Sequence, residues 1–212
     1  MSRLSAAFFA RDSREVAREL LGCRLVHDTP GGRLVGRIVE VEAYVGDGSD
    51  PASHAHRGPT LRNRSMFGPP GRFYVYLSMG LHVCANLVCQ VPGHGAAVLL
   101  RAVEPIEGES LMTAARGGRG GRDLTSGPGK LCQAFGITLG HDGASALSGP
   151  LRVETPAGPL IEPVLAGPRI GISKAADLPY RLFLAGNPHV TRSPLNRAAR
   201  PLERLSSPRC TR

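Results

Sequence analysis

Paired cysteines are missing from this chain. Its five cysteines, Cys23, Cys84, Cys89, Cys132 and Cys210, contain no Cys-x-x-Cys spacing. An odd number also argues against a disulfide framework, so reduced and mostly buried thiols are expected. Long apolar runs are missing as well, and nothing approaches the length that spans a bilayer. Ala6-Ala7-Phe8-Phe9-Ala10 is too short for a signal core and meets Arg11 and Asp12 at once. We therefore expect a cytoplasmic protein with no membrane partner. Lysine is scarce: Lys130 and Lys174 are the only two among 26 basic residues. The arginines that replace it carry planar forks suited to phosphate. There is no internal repeat.

What is present fits one domain with a sizeable core, since the chain has 212 residues and 42% of them are apolar. The formal charge of +9 suits a polyanionic partner. Its distribution weakens that reading. Six arginines and one glutamate lie between Arg192 and Arg212, a net +5, which leaves only +4 for residues 1–191. Residues 1–192 read as the folded domain and 193–212 as a basic, disordered tail.

Asp12-Ser13-Arg14-Glu15 has the pattern of a capping box and opens a short helix with Val16, Leu20 and Leu21 as its apolar stripe. A strand begins at Leu25-Val26, and Pro30-Gly31-Gly32 turns the chain into a long strand over 34–44. Residues 45–72 form an irregular loop whose length in a compact domain suggests function. Phe73–Leu77 and Leu81–Leu87 flank Ser78-Met79-Gly80 and predict a β-hairpin. Residues 97–103 read as a central strand, and a helix is expected from about Glu107 to Ala115. Ser126 is expected to cap a helix running to Phe135. It is not a Walker loop, because Leu124 and Leu131 stand where a glycine and a Ser/Thr are required. Its start, with Lys130 beside it, offers a place for a backbone phosphate. Strands near 151–154, 169–172 and 180–184 complete the body.

Chemistry concentrates in Ile38-Val-Glu-Val-Glu-Ala-Tyr44. Side chains alternate along a strand, so Ile38, Glu40, Glu42 and Tyr44 are predicted to share one face, with Val39, Val41 and Ala43 on the other. Two carboxylates and a ring on one rigid element can hold a flat ring beside a general base. His54-x-His56 offers two imidazoles, but no cysteine or carboxylate cluster completes a metal site.

The stretch from Arg37 to Arg101 resembles the alkyladenine (3-methyladenine) DNA glycosylase family. The blocks are Arg-Ile-Val-Glu-Val-Glu-Ala-Tyr at 37–44, Ala-Ser-His at 52–54, Arg-Asn-Arg-Ser-Met-Phe at 62–67, Pro-Gly-Arg-Phe-Tyr-Val-Tyr at 70–76, Cys-Ala-Asn at 84–86 and Val-Leu-Leu-Arg-Ala-Val-Glu-Pro at 98–105. Phe-Phe-Ala-Arg-Asp at 8–12, Ser-Gly-Pro-Gly-Lys-Leu-Cys-Gln-Ala at 126–134 and Arg-Ile-Gly-Ile at 169–172 fit too. The resemblance implies an α/β (α+β type) single domain: a curved antiparallel sheet with flanking helices and a protruding hairpin, of the kind shared with the C-terminal domain of methionyl-tRNA formyltransferase.

It also implies roles. Glu42 would be the general base and Arg101 the residue that orders it. Tyr44, His54 and Tyr76 would enclose an extruded purine, with Asn86 at the pocket floor screening against guanine's amine. Met79, where the family often has tyrosine, would be a minor-groove wedge. Ser126, Lys130, Arg62 and Arg64 would meet the DNA backbone. No cofactor and no metal are expected. The expected partner is double-stranded DNA containing damaged purines, met by a monomer. Two rivals stand beside this reading: a non-catalytic minor-groove binder, which has no use for Glu42, and a metal-dependent nuclease using Glu40, Glu42 and His54.

Overall fold

The computed structural model describes residues 3–202. Two short helices open it. Ser5 caps α1 (Ala6–Phe9), and Asp12 caps α2 (Ser13–Leu20) by accepting the Arg14 N–H at 2.8 Å. Nine strands follow, β1 (Arg24–Thr29), β2 (Gly32–Tyr44), β3 (Phe73–Ser78), β4 (His82–Cys89), β5 (Ala96–Glu107), β6 (Leu151–Glu154), β7 (Val164–Gly167), β8 (Arg181–Leu184) and β9 (Arg200–Pro201). Helices α3 (Glu109–Ala115) and α4 (Pro128–Ala134) lie between β5 and β6. Every pairing is antiparallel, in the order β3-β4-β5-β2-β8-β7-β9, with β1 and β6 branching beside β2. This is the expected mixed α/β domain built on one antiparallel sheet.

The long strand β2 organises the sheet. One edge pairs with β5; along the other, β1 partners residues 32–37 and β8 partners residues 40–42. The ladder with β5 slips at that change of partner. Val39 on β2 and Arg101 on β5 have no opposite residue, because Ile38 faces Val103, Glu40 faces Ala102 and Val41 faces Leu100. Such bulges bend a strand and re-aim side chains. They also break the alternation expected from the sequence: Ile38 packs in the main core with Val39, Val41 and Ala43 rather than with the carboxylates.

Beyond the bulges the period of two is restored and separates two faces. The transverse row Phe73, Leu87, Val98 and Ala43 lies in the main core with the helices. The next row, Tyr74, Asn86, Leu99 and Glu42, points the other way. Beside it, Val88, Ala97 and Tyr44 join a smaller cluster that Ala55, Met66 and Phe67 of the 45–72 loop cover. Cys23, Cys84, Cys89 and Cys132 are free and buried, while Cys210 lies outside the described residues.

Three expectations change. Residues 169–172 are not a strand; the strand here is β7, and 169–172 instead turns its polar groups toward β2, with Gly171 at φ +80°. The N-cap of α4 is Gly127, with Pro128 at the first helical position; Ser126 sits one residue earlier in a bridge to Ala102. The fold also continues past Ser193. That residue caps a 3-10 turn over Pro194–Ala198, and β9 then adds to β7, so residues 193–202 belong to the body. The remainder of the expected tail, 203–212, lies outside the described residues.

Candidate active site

Glu42 is fully buried and held from three directions. Its Oε1 accepts the Ile170 backbone N–H at 2.8 Å and faces Arg101 Nη1 at 3.1 Å; its Oε2 accepts the Tyr44 hydroxyl at 2.9 Å. Burial and the adjacent Glu42 charge hold the Tyr44 phenol well above its ordinary pKa, so it is a donor.

Glu40, two residues back, is also fully buried. Its Oε1 accepts from Arg101 Nε at 3.0 Å and Arg181 Nε at 2.6 Å, and its Oε2 accepts the Thr191 N–H at 2.8 Å and hydroxyl at 2.6 Å. Burial opposes ionisation of Glu40, but Arg101 and Arg181 outweigh it and hold the carboxyl below its usual range. Two guanidinium groups thus alternate with two carboxylates in the interior, a balanced set of charges. The bulge at Arg101 lets one side chain reach both acids. With their oxygens directed at guanidinium and N–H donors, Glu40 and Glu42 are poorly placed to converge on a cation with His54. The metal-nuclease reading has no geometric support.

Three aromatic side chains, His54, Tyr74 and Tyr76, meet in one group. His54 contacts Tyr76 edge to face, with centroids 4.6 Å apart, and its Nδ1 hydrogen-bonds the Tyr74 hydroxyl at 2.9 Å. Tyr74 and Tyr76 stack at 5.4 Å. Burial, with Arg62 nearby, lowers the His54 pKa and favours the neutral ring, while burial pushes Tyr74 up to about 12. Tyr44 packs on the same small cluster as Tyr76. Asn86 is buried in the row with Glu42, donating from Nδ2 to the Tyr74 carbonyl at 3.0 Å.

The hairpin projects as predicted. Ser78 pairs with His82, leaving Met79, Gly80 and Leu81 as the tip. Met79 is 91% exposed and Leu81 75% exposed, so the tip carries two apolar side chains, of which the sequence singled out one. Met79 also holds φ +50°, a region that glycine or asparagine occupies more easily. His82 packs at the hairpin base against α4, where a methyl placed on Gly129 would come within 3.0 Å of the His82 Cβ. Lys130 pairs with Asp123 at 3.0 Å, and the Ser126 hydroxyl lies 3.4 Å from the same carboxylate. Arg62 donates to the Leu77 carbonyl at 3.0 Å, and Arg64 is exposed on a 3-10 turn.

Several supporting residues escaped the sequence reading. Arg169, almost fully buried, forms a two-pronged pair with buried Asp50 at 2.6 and 2.7 Å, and its guanidinium lies 4.7 Å from the Tyr44 ring centre. Asp50 sits in the irregular loop and gave no periodic signal. Arg169 lies within the Arg-Ile-Gly-Ile block, whose apolar character suggested a strand.

Comparison with known proteins shows which family the chain is similar to. A model of the methylpurine-DNA glycosylase family matches residues 7–188. A protein of Methanoculleus marisnigri is 52% identical over 192 residues, covering 89% of this chain and 98% of its own. One of Nitrosospira multiformis is 50% identical, covering 87% and 91%, and one of Chlorobaculum tepidum 49% identical, covering 91% and 92%. All three carry 3-methyladenine DNA glycosylase as a provisional name. The protein is therefore an enzyme acting on DNA, a monofunctional DNA glycosylase. Within that class, the chain belongs to the methylpurine-DNA glycosylase family.

Proposed function

We propose that the enzyme extrudes a damaged purine from duplex DNA and hydrolyses its N-glycosidic bond with water activated by Glu42, leaving an abasic site. The observation that carries this reading is the setting of Glu42. A carboxylate offers about four lone-pair positions. Three accept from Tyr44, Arg101 and Ile170. We assign the remaining position on Oε2 to the proton taken from water. Departure of the base develops oxocarbenium character on the sugar, which a fixed carboxylate stabilises as it deprotonates the nucleophile. Arg101 keeps Glu42 oriented, and Tyr44 ties it to the pocket wall.

Base removal requires exposure of the base, at a cost of roughly a few kcal/mol that is smaller for damaged pairs. Stacking against Tyr44, His54 and Tyr76 returns about 1–3 kcal/mol per base and favours electron-poor, alkylated rings. Asn86 lies in the row with Glu42, where it meets a purine edge and screens against guanine's exocyclic amine. Met79, held in a costly backbone conformation at an exposed tip, enters the minor groove and fills the gap. Arg62, Arg64, Ser126 and Lys130 meet the backbone, Lys130 by exchanging Asp123 for a phosphate. The enzyme works as a monomer, without a cofactor, in the cytoplasm.

The test uses duplexes each carrying one lesion, 3-methyladenine, 7-methylguanine, hypoxanthine or ethenoadenine, in chelator, read as alkali-labile sites under single-turnover conditions. Wild type is expected to cleave at least one, and Glu42→Gln to bind it with near wild-type affinity without excision. Comparable turnover by Glu42→Gln would remove it as the base. Equal binding of lesion and undamaged duplex by wild type, without excision, would favour the minor-groove binder.

A further inference from the structure

A cavity of about 270 Å³ adjoins the aromatic cluster, sharing His54 and Tyr74 with it but including neither Glu42 nor Tyr76. None of its lining residues is acidic, while Arg57, Arg62 and Lys174 all face it. Among the described residues Arg57 and Lys174 form no ion pair. Cations gathered on one concave surface repel one another unless an anion is supplied.

The wall behind these cations is built rather than loose. Asn63, only 4% exposed, accepts from the Thr60 N–H and hydroxyl and donates to the His54 and Gly58 carbonyls at 2.8 and 3.1 Å. That ring of bonds fixes the 54–63 loop before any ligand arrives, which is how a binding surface avoids an ordering cost. Arg62 joins this wall to the hairpin: it bonds the Leu77 carbonyl, and its guanidinium lies 5.8 Å from the Tyr76 ring centre. An anion here lies beside the rings that would hold the extruded base.

We propose that this cavity is a phosphate site, in which Arg57 and Lys174 grip a backbone phosphate of the strand carrying the extruded nucleotide. The proposal rests on the base-extrusion reading above. Its role is to anchor the sugar–phosphate chain in its rotated position, since phosphate contacts position a strand without reading its sequence.

The test measures binding of wild type, Arg57→Ala/Lys174→Ala and Arg57→Lys/Lys174→Arg to a duplex with a tetrahydrofuran abasic analogue. Each linkage around the analogue is replaced in turn by neutral methylphosphonate. Wild type should lose about five- to tenfold in affinity at one linkage next to the analogue. The alanine variant should bind the unmodified duplex about tenfold more weakly and lose less than twofold at that linkage, while other linkages keep their effects. Its salt slope should flatten by about 1–2. The charge-preserving variant should restore the sensitive linkage. An alanine variant with the wild-type linkage profile would overturn the proposal. So would saturable stabilisation of wild type by inorganic phosphate with no linkage coupled to the pair, which would assign the cavity to a free anion. The duplex holds no base to excise, so the outcome is independent of Glu42. A wild type that fails to prefer the abasic duplex would count against base extrusion instead.

Discussion

Glu40→Gln is the perturbation that best separates support of the site from chemistry within it. Glu40 is not placed to touch substrate, yet it fixes Arg101, which in turn holds Glu42. The substitution keeps the shape and removes one negative charge from a fully buried set of two carboxylates and two guanidinium groups. Losing one partner of a buried ion pair costs about 3–5 kcal/mol, because the other charge remains without compensation. The amide also presents an NH2 toward donors. Of Arg101 Nε, Arg181 Nε and the two Thr191 donors, at least one loses its acceptor, which is already worth about 1–3 kcal/mol within that total. For a domain of this size, about 2–4 °C of melting temperature per kcal/mol gives a fall of roughly 6–20 °C.

The same residue fixes a pH signature. Its folded pKa lies below the ordinary 4.5, so its stabilisation is complete above pH 4.5 and is lost as pH falls through the folded value. The Gln variant should lose this part of the acid sensitivity, and the stability gap to wild type should narrow below pH 4.5. Urea melts from pH 7 to 3 measure it. Single-turnover excision at 15 °C, where the variant is folded, measures the second effect. With Arg101 freed to swing, excision should fall by at least tenfold while affinity for lesion duplex changes little. A variant that loses under 1 kcal/mol, or that excises at the wild-type rate, would refute the reasoning.

At the hairpin tip, Met79→Ala and Leu81→Ala should each reduce excision from duplex, and the double variant should reduce it more than either. Excision from single strands should stay intact, because no gap needs filling there; a 2-aminopurine beside the lesion reports the unstacking, and an unchanged signal in the double variant would place the wedge elsewhere. Asn86→Ser should relax rejection of guanine by removing bulk from the row beside Glu42, read as the ratio of hypoxanthine to guanine excision. An unchanged ratio would remove Asn86 from the screen.

Much of this arrangement was legible because it rests on local periodicity. Ala43, Val98 and Leu87 alternate with Glu42, Leu99 and Asn86 through a period of two, so the two faces of the sheet can be read from single strands. The hairpin followed from turn residues between β-rich runs. What the sequence hid depends on contacts far apart in the chain. The bulges at Val39 and Arg101 arise where β2 exchanges β1 for β8, and nothing within residues 38–44 announces a change of neighbour 140 residues away. The C-terminal boundary failed for a related reason. Residues 193–202 hold two prolines and two arginines and show no strand or helix periodicity, which reads as tail. Yet the Asn196 side chain accepts from Arg181 Nη2, while Arg181 Nε holds Glu40, and β9 completes the sheet. A segment with little hydrophobic pattern is thus held both by Ala199 and Leu202 against the core and by a bond to a buried guanidinium. The contacts that begin at Asn196 run through Arg181, Glu40 and Arg101 to Glu42, so a segment that reads as tail helps to hold the buried carboxylate.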